Sequence, residues 1–94
     1  MSVVSEILSV CSTIKFERTV HTVYRHLESE IDELAVEIYC TDDKGEDGVI
    51  GEAVDVMLCA IDIMYKDSPN ITEDEISKVV QRKLAKWQRV YGEE

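Results

Sequence analysis

Residues 49–66 (VIGEAVDVMLCAIDIMYK) constrain the fold of this chain more than any other segment. Wound into a helix, they present apolar side chains on nearly every side, which is typical of a buried helix. Asp55 and Asp62 interrupt the run, so it does not have the pattern of a membrane span. A chain of 94 residues has few other elements to cover such a helix, and we therefore expect a second subunit to complete the core.

Residues 17–39 contain the clearest helical periodicity in the chain. Apolar residues recur there at intervals of three and four, as on one face of a helix that packs against a core. They are Val20, Val23, Tyr24, Leu27, Ile31, Leu34, Ala35 and Ile38. Residues 3–14 show weaker helical spacing and predict a short leading helix. Residues 41–48 (TDDKGEDG) are rich in turn-forming residues and predict a loop.

Residues 73–90 predict the last helix. Thr72 and Glu75 match the pattern of a capping box, in which each side chain accepts a hydrogen bond from the backbone N–H of the other residue. The apolar residues expected to face inward are Ile76, Val79, Val80, Leu84, Trp87 and Val90. The chain is therefore expected to be one all-α domain over residues 1–94. It would be a helical bundle of three long or medium helices plus a short leading helix, completed by oligomerisation.

Composition disfavours two classes of partner and indicates a compartment. The formal net charge of −10 leaves no broad basic surface for a nucleic acid or an anionic membrane. The chain has an odd number of cysteines, and they are widely spaced: Cys11, Cys40 and Cys59. This pattern fits a reducing, cytoplasmic compartment. We expect these thiols to act as small buried apolar residues. The N-terminus shows no signal-peptide pattern.

Two pairs of acidic residues suggest a binding site for a cation. Glu30 and Glu33 are three residues apart, as are Glu52 and Asp55, so each pair shares one face of its helix. The first pair alone is explained as well by a solvated face. The second pair lies on a helix with almost no polar face, where a carboxylate costs several kcal/mol unless it is paired or binds a metal.

A hard divalent cation suits this set of carboxylates best. Mg²⁺ takes oxygen ligands, and Mn²⁺ is a possible substitute. The 18 residues between Glu33 and Glu52 are enough to end one helix, form a loop and start the next. Two antiparallel helices would then form a four-carboxylate metal site. Asp62 falls on the same face as Asp55 and is explained equally by work at this site or by a buried salt bridge.

The spaced double motif Glu30-x-x-Glu33 and Glu52-x-x-Asp55 resembles the signature of MazG-like, all-α nucleoside triphosphate pyrophosphohydrolases. The resemblance covers roughly residues 20–90, including the flanking stretches HLESEIDEL and GEAVDVMLCAIDIMY. It implies hydrolysis of a nucleoside triphosphate, ribo or deoxy, to the monophosphate and pyrophosphate. It also implies that the four carboxylates coordinate Mg²⁺, which bridges to the triphosphate.

The resemblance also implies roles for other residues. Glu30 or Glu33 would activate the attacking water. The last helix offers cations for phosphate oxygens, namely Lys83, Lys86 and Arg89. Glu37 and Asp62 are weaker candidates for contact with substrate. His26 is more typical of an ordinary histidine on a helix surface than of a ligand.

Two functional hypotheses remain from the sequence. The first is a magnesium-dependent nucleotide pyrophosphohydrolase that works as a homodimer or homotetramer. The second is a non-catalytic acidic helical module, an interaction or regulatory protein that retains the fold. Pyrophosphate release from a nucleotide in the presence of Mg²⁺ separates them.

Overall fold

The computed structural model describes residues 2–14, 17–40 and 48–92, and every regular element in these ranges is a helix. The four helices are α1 (Val3–Cys11), α2 (Val20–Tyr39), α3 (Gly48–Asp67) and α4 (Glu73–Tyr91). The expected all-α fold, with three long helices and a short leading one, is confirmed. The loop predicted at residues 41–48 lies, except for Gly48, outside the described residues.

Local capping explains where the helices begin. Thr72 and Glu75 form the predicted capping box at the start of α4. Thr19 caps α2 in the same way, with extended backbone and a side chain that accepts from the backbone of Thr22, so α2 begins at Val20 and not at residue 17. Gly48 opens α3 with a φ of 65°, in the left-handed region that favours glycine.

Helices α2 and α3 pack against each other as an antiparallel pair. Contacts between side chains run in opposite directions along the two segments: Arg18 meets Asp62, His26 meets Cys59, and Glu30 lies beside Glu52. This register results from the chain reversal that the sequence predicts between the two helices. It brings the acidic residues of α2 opposite those of α3.

Helices α1 and α4 make fewer contacts with the rest of the structure than α2 and α3 make with each other. Within the described ranges, α1 packs against α3, while α4 packs against α1 alone. The hydroxyl of Ser5 in α1 donates to Oε2 of Glu73 in α4 at 2.7 Å and ties these two helices together. The buried apolar side chains of the described residues are few, namely Cys11, Val23, Cys59, Ile61 and Ile76.

Two expectations about burial are wrong for the single chain. Of the α4 side chains expected to face inward, only Ile76 is buried, whereas Trp87 is 63% exposed. Cys40 is exposed, unlike the other two cysteines. Within the described ranges α4 packs against α1 alone, so most of its apolar stripe stays uncovered. Helix α3 is not covered on every side of the single chain, as the sequence predicts, since Ile50 is 78% exposed.

Within the part of the chain that the structure describes, no helix combines the length and apolarity that crossing a membrane requires.

Candidate metal centre

The antiparallel α2–α3 pair brings three carboxylates to one point. One oxygen from each of Glu30, Glu33 and Glu52 lies within 4.8 Å of the others. Glu30 and Glu33 are neighbours because residues three apart share a helix face. The register of α3 places Glu52 directly opposite them. Both residues of the first motif therefore meet Glu52 of the second, whereas Asp55, the predicted fourth ligand, is not among the carboxylates that converge.

Two of these carboxylates each have one oxygen without a donor, at a point where water cannot easily supply one. Oε1 of Glu30 and Oε1 of Glu52 are buried, and neither accepts a hydrogen bond from any described residue. A buried polar atom with no partner is costly, and a buried charge is more so. Clustered carboxylate oxygens are the ligands that a hard divalent cation prefers. The residues present thus fit Mg²⁺ or Mn²⁺.

Electrostatics at the cluster agree with its geometry. Burial, and after it the neighbouring Glu33, raises the pKa of the Glu30 carboxyl. Burial also raises the pKa of Glu52, with Glu33 again the main charged neighbour. Asp55 contributes to both increases, so it lies close by, although its carboxylate is not among the three that converge. A divalent cation would remove this mutual repulsion.

Glu37 lies next to the cluster but has a different environment. It is 4% exposed, one turn beyond Glu33 on α2. Its negative charge is one of the causes that raise the pKa of Glu52. The structure therefore places Glu37 near the proposed metal ligands, where it adds to the local negative charge.

His26 connects the carboxylate cluster to a buried thiol. Its Nε2 lies 3.1 Å from Oε2 of Glu30, and its Nδ1 lies 3.5 Å from Sγ of Cys59. From the sequence alone His26 is expected to be an ordinary surface histidine, because a histidine on an exposed helix face is usually not a ligand. The spacing to Glu30, four residues on, was the available signal. The proximity of Cys59 comes from the packing of α3.

Asp62 is held by an arginine that sequence reasoning missed. Arg18 donates from Nη1 to Oδ2 of Asp62, and the two side chains are only 12% and 10% exposed. Of the two explanations left open for Asp62, the buried salt bridge is the one found. Arg18 precedes α2 and lies 44 residues from Asp62, so no local pattern pairs them.

A cavity of about 800 Å³ opens beside the cluster, between α1, the start of α2 and α3. Most of its wall is apolar, and its polar groups include Arg18, Asp62 and His26. The buried Cys11 thiol also lines it, where burial and the charge of Asp62 raise its pKa to about 11. The cavity reaches the carboxylates through His26, which contacts Glu30.

The cations expected to bind phosphate lie elsewhere in the single chain. Lys83, Lys86 and Arg89 are exposed on α4. Because α4 packs against α1 alone within the described ranges, the chain does not bring them onto the α2–α3 pair. Lys83 instead borders an apolar groove of about 510 Å³ whose walls include Met64 and Trp87.

Comparison with known proteins gave no match to this chain among protein-family models, curated proteins or solved structures.

Proposed function

We propose that this protein is a divalent-metal-dependent nucleoside triphosphate pyrophosphohydrolase, which hydrolyses a (d)NTP to the monophosphate and pyrophosphate. The observation that carries the proposal is the convergence of Glu30, Glu33 and Glu52 within 4.8 Å. The resemblance of the spaced motif to MazG-like enzymes supplies the reaction. The buried, unpartnered oxygens of Glu30 and Glu52 support a cation at this point.

Each acidic residue has a proposed role. Glu30, Glu33, Glu52 and Asp55 would hold Mg²⁺ or Mn²⁺. When bound, the metal would neutralise part of the phosphate charge and lower the pKa of a bound water molecule. Glu30 or Glu33 would accept the proton of the attacking water. Hydrolysis then breaks the anhydride bond between the α- and β-phosphates, and pyrophosphate leaves.

The cavity beside the cluster is the proposed place for the nucleoside. Its volume of about 800 Å³ is within the usual range of small-molecule sites. A largely apolar wall suits a base, and Arg18 and Asp62 offer a donor and an acceptor on that wall. With the nucleoside there, the triphosphate would extend past His26 towards the carboxylates.

Phosphate-binding cations would come from a second subunit. We infer a homodimer or homotetramer because the single chain leaves apolar side chains of α3 and α4 in water, among them Ile50, Leu84 and Trp87. The C-terminal half of α4 carries four Lys or Arg residues and no Asp or Glu, in a chain with a net charge of −10. This half is thus complementary in charge to the acidic α2 of another copy. Docked there, Lys83, Lys86 and Arg89 would approach the partner's carboxylates.

A panel of the common NTPs and dNTPs, each with Mg²⁺, tests the proposal by pyrophosphate release. We expect at least one nucleotide to be hydrolysed. Glu52→Gln should reduce the rate at least about 100-fold, because even residues that only hydrogen-bond to a metal ligand often change metal affinity or activity by 10–100-fold. Glu28→Gln is the matched control, since Glu28 is exposed on the same helix as Glu30. Its rate should equal that of the unmodified protein.

Two results would contradict the proposal. One is the absence of pyrophosphate from every nucleotide with either Mg²⁺ or Mn²⁺. The other is equal release from the Glu52→Gln variant, which would indicate a contaminating enzyme. Either result would favour the non-catalytic acidic interaction module.

A further inference from the structure

A second group of potential ligands stands directly beside the carboxylates. One ligand atom from each of His26, Glu30 and Cys59 lies within 4.8 Å of the other two. This set differs in kind from Glu30, Glu33 and Glu52, because it contains a thiol and an imidazole. Oxygen ligands suit Mg²⁺, whereas sulfur and nitrogen ligands suit zinc and related transition metals.

We propose that His26, Glu30 and Cys59 form a second metal site, selective for a thiophilic divalent cation such as Zn²⁺, that shares Glu30 with the carboxylate site. The distance between His26 and Cys59 fits this assignment, whereas Glu30 contacts the other ring nitrogen, Nε2, and would turn its carboxylate towards Nδ1 on binding. Nδ1 of His26 and Sγ of Cys59 are 3.5 Å apart. Two ligands of one tetrahedral zinc ion, at about 2.0 Å for nitrogen and about 2.3 Å for sulfur, are separated by about 3.5 Å.

The surroundings allow an ion to enter and to be held. His26 and Cys59 both line the cavity between α1, α2 and α3, which gives an ion a route to an otherwise buried thiol. Cys59 is fixed on α3 and His26 on α2, so the tightly packed helix pair sets their separation. Binding replaces the thiol proton of Cys59, which leaves to solvent, and water completes the coordination.

Sharing Glu30 couples the two sites. A zinc ion that draws the Glu30 carboxylate towards His26 and Cys59 takes charge away from Glu33 and Glu52. Its own positive charge also repels a second divalent ion nearby. Both effects have the same sign, so zinc weakens the binding of Mg²⁺ or Mn²⁺. This part of the inference rests on the proposed metal centre, whereas the existence of the zinc site does not.

Co²⁺, a spectroscopic substitute for zinc, tests the site directly in the full chain. We expect Co²⁺ to produce a thiolate-to-cobalt charge-transfer band in the near ultraviolet, and excess Zn²⁺ to abolish it. The band should be lost in Cys59→Ser and strongly reduced in His26→Asn. Cys40→Ser is the matched control for loss of a thiol, since Cys40 is exposed and distant in sequence from both ligands. Its band should be unchanged.

The outcomes separate this inference from the proposed function. Retention of the band in Glu52→Gln, together with loss of Mn²⁺ binding measured by electron paramagnetic resonance, is the expected pattern of two distinct sites. No band in the unmodified protein, or a band that survives Cys59→Ser, overturns the zinc site whatever the nucleotide panel shows. Far-ultraviolet circular dichroism of Cys59→Ser checks that the variant is folded.

A competition experiment tests the coupling. With Zn²⁺ at about ten times its own dissociation constant, full competition raises the apparent dissociation constant of Mn²⁺ about tenfold. We expect a clear increase in the unmodified protein and none in Cys59→Ser. An unchanged Mn²⁺ affinity in zinc-saturated protein would show that Glu30 is not shared.

Discussion

Between α2 and α3, charged side chains face a packed interior, whereas along α4 apolar side chains face the solvent. Glu52 has a buried oxygen without a donor, and Trp87 is 63% exposed. Each arrangement is unfavourable in the isolated chain, for opposite physical reasons. A cation would relieve the first and a protein surface would relieve the second. The two regions therefore support proposals of two different kinds of partner.

Two carboxylates of α3, those of Asp62 and Glu52, have opposite electrostatic surroundings. Asp62 has the guanidinium of Arg18 as its counter-ion. Glu52 lies ten residues earlier on the same helix, and burial and then its acidic neighbours raise its pKa. Along α3, the carboxylate of Asp62 therefore has a guanidinium beside it, whereas the carboxylate of Glu52 lies among other carboxylates.

The largest effect is expected from Arg18→Met. This change keeps much of the side-chain volume but leaves the Asp62 carboxylate buried beside the cavity without its main cation. Removing one partner of a buried ion pair costs about 3–5 kcal/mol of unfolding free energy. Urea denaturation followed by circular dichroism measures the loss.

Arg25→Met is the control for Arg18→Met, because Arg25 is exposed on α2 and the same change there should have little effect. If both variants unfold at the same urea concentration, the Arg18–Asp62 ion pair does not stabilise the fold. The contrast between a neutralised Asp62 and an unpaired Glu52 would then be lost.

Metal binding should produce the next largest effect. With Mn²⁺ at about 100 times its dissociation constant, linkage adds about 2.7 kcal/mol to the unfolding free energy. For a domain of this size that corresponds to an increase in Tm of about 10 °C or more. Differential scanning fluorimetry should show the increase in the unmodified protein and in Glu28→Gln, but not in Glu52→Gln.

A different result would break the comparison between the two regions. Equal stabilisation of Glu52→Gln by Mn²⁺ would place the ion outside the α2–α3 cluster. The buried oxygens of Glu30 and Glu52 would then be a feature of the fold rather than a binding site.

The apolar face of α4 is tested by Trp87→Asp. A charge at the centre of a buried interface should weaken self-association by about 2 kcal/mol, or about 30-fold in the dissociation constant. A dilution series by sedimentation velocity measures this change. Ala85→Asp is the matched control, since it lies two residues away and so about 200° round the helix.

Self-association that is unaffected by Trp87→Asp would remove α4 from the interface. A monomer at micromolar concentration would contradict the homodimer or homotetramer altogether. The apolar side chains of α4 would then need another protein to cover them.

Most of the helices follow from the sequence because their signals are local. The capping box of Thr72 and Glu75 and the apolar periodicity of residues 17–39 each involve neighbours within a few positions. The carboxylate cluster was also predictable, because two i,i+3 pairs and one chain reversal suffice to bring Glu30, Glu33 and Glu52 together. Those features depend little on how the rest of the chain packs.

What the sequence could not predict depends on contacts between distant residues. The pairing of Arg18 with Asp62, and of His26 with Cys59, is decided by the exact register of α3 on α2. The path of α4 is a further case. Its apolar stripe predicts that one face is covered but does not say by what, and in the single chain only Ile76, near the start of α4, is buried among the residues of that stripe.

The smallest expected effect is a dependence of stability on pH in the metal-free protein. The pKa values of Glu30 and Glu52 are raised above the ordinary 4.5, so at pH values just above 4.5 the folded protein binds more protons than the unfolded chain. Stability must then fall as the pH rises through the folded-state pKa values. The metal-free Tm should therefore decrease by a few degrees from about pH 5 to about pH 7.5.

Saturating Mn²⁺ should remove this decrease, because metal ligation stabilises the ionised carboxylates that repel one another in the free site. Glu52→Gln should make the decrease smaller without metal, whereas Glu28→Gln should leave it unchanged. Thermal unfolding over this range, with and without chelator, measures all three. A metal-free Tm that rises steadily with pH would mean that the carboxylates between α2 and α3 already have counter-ions, and the contrast with α4 would disappear.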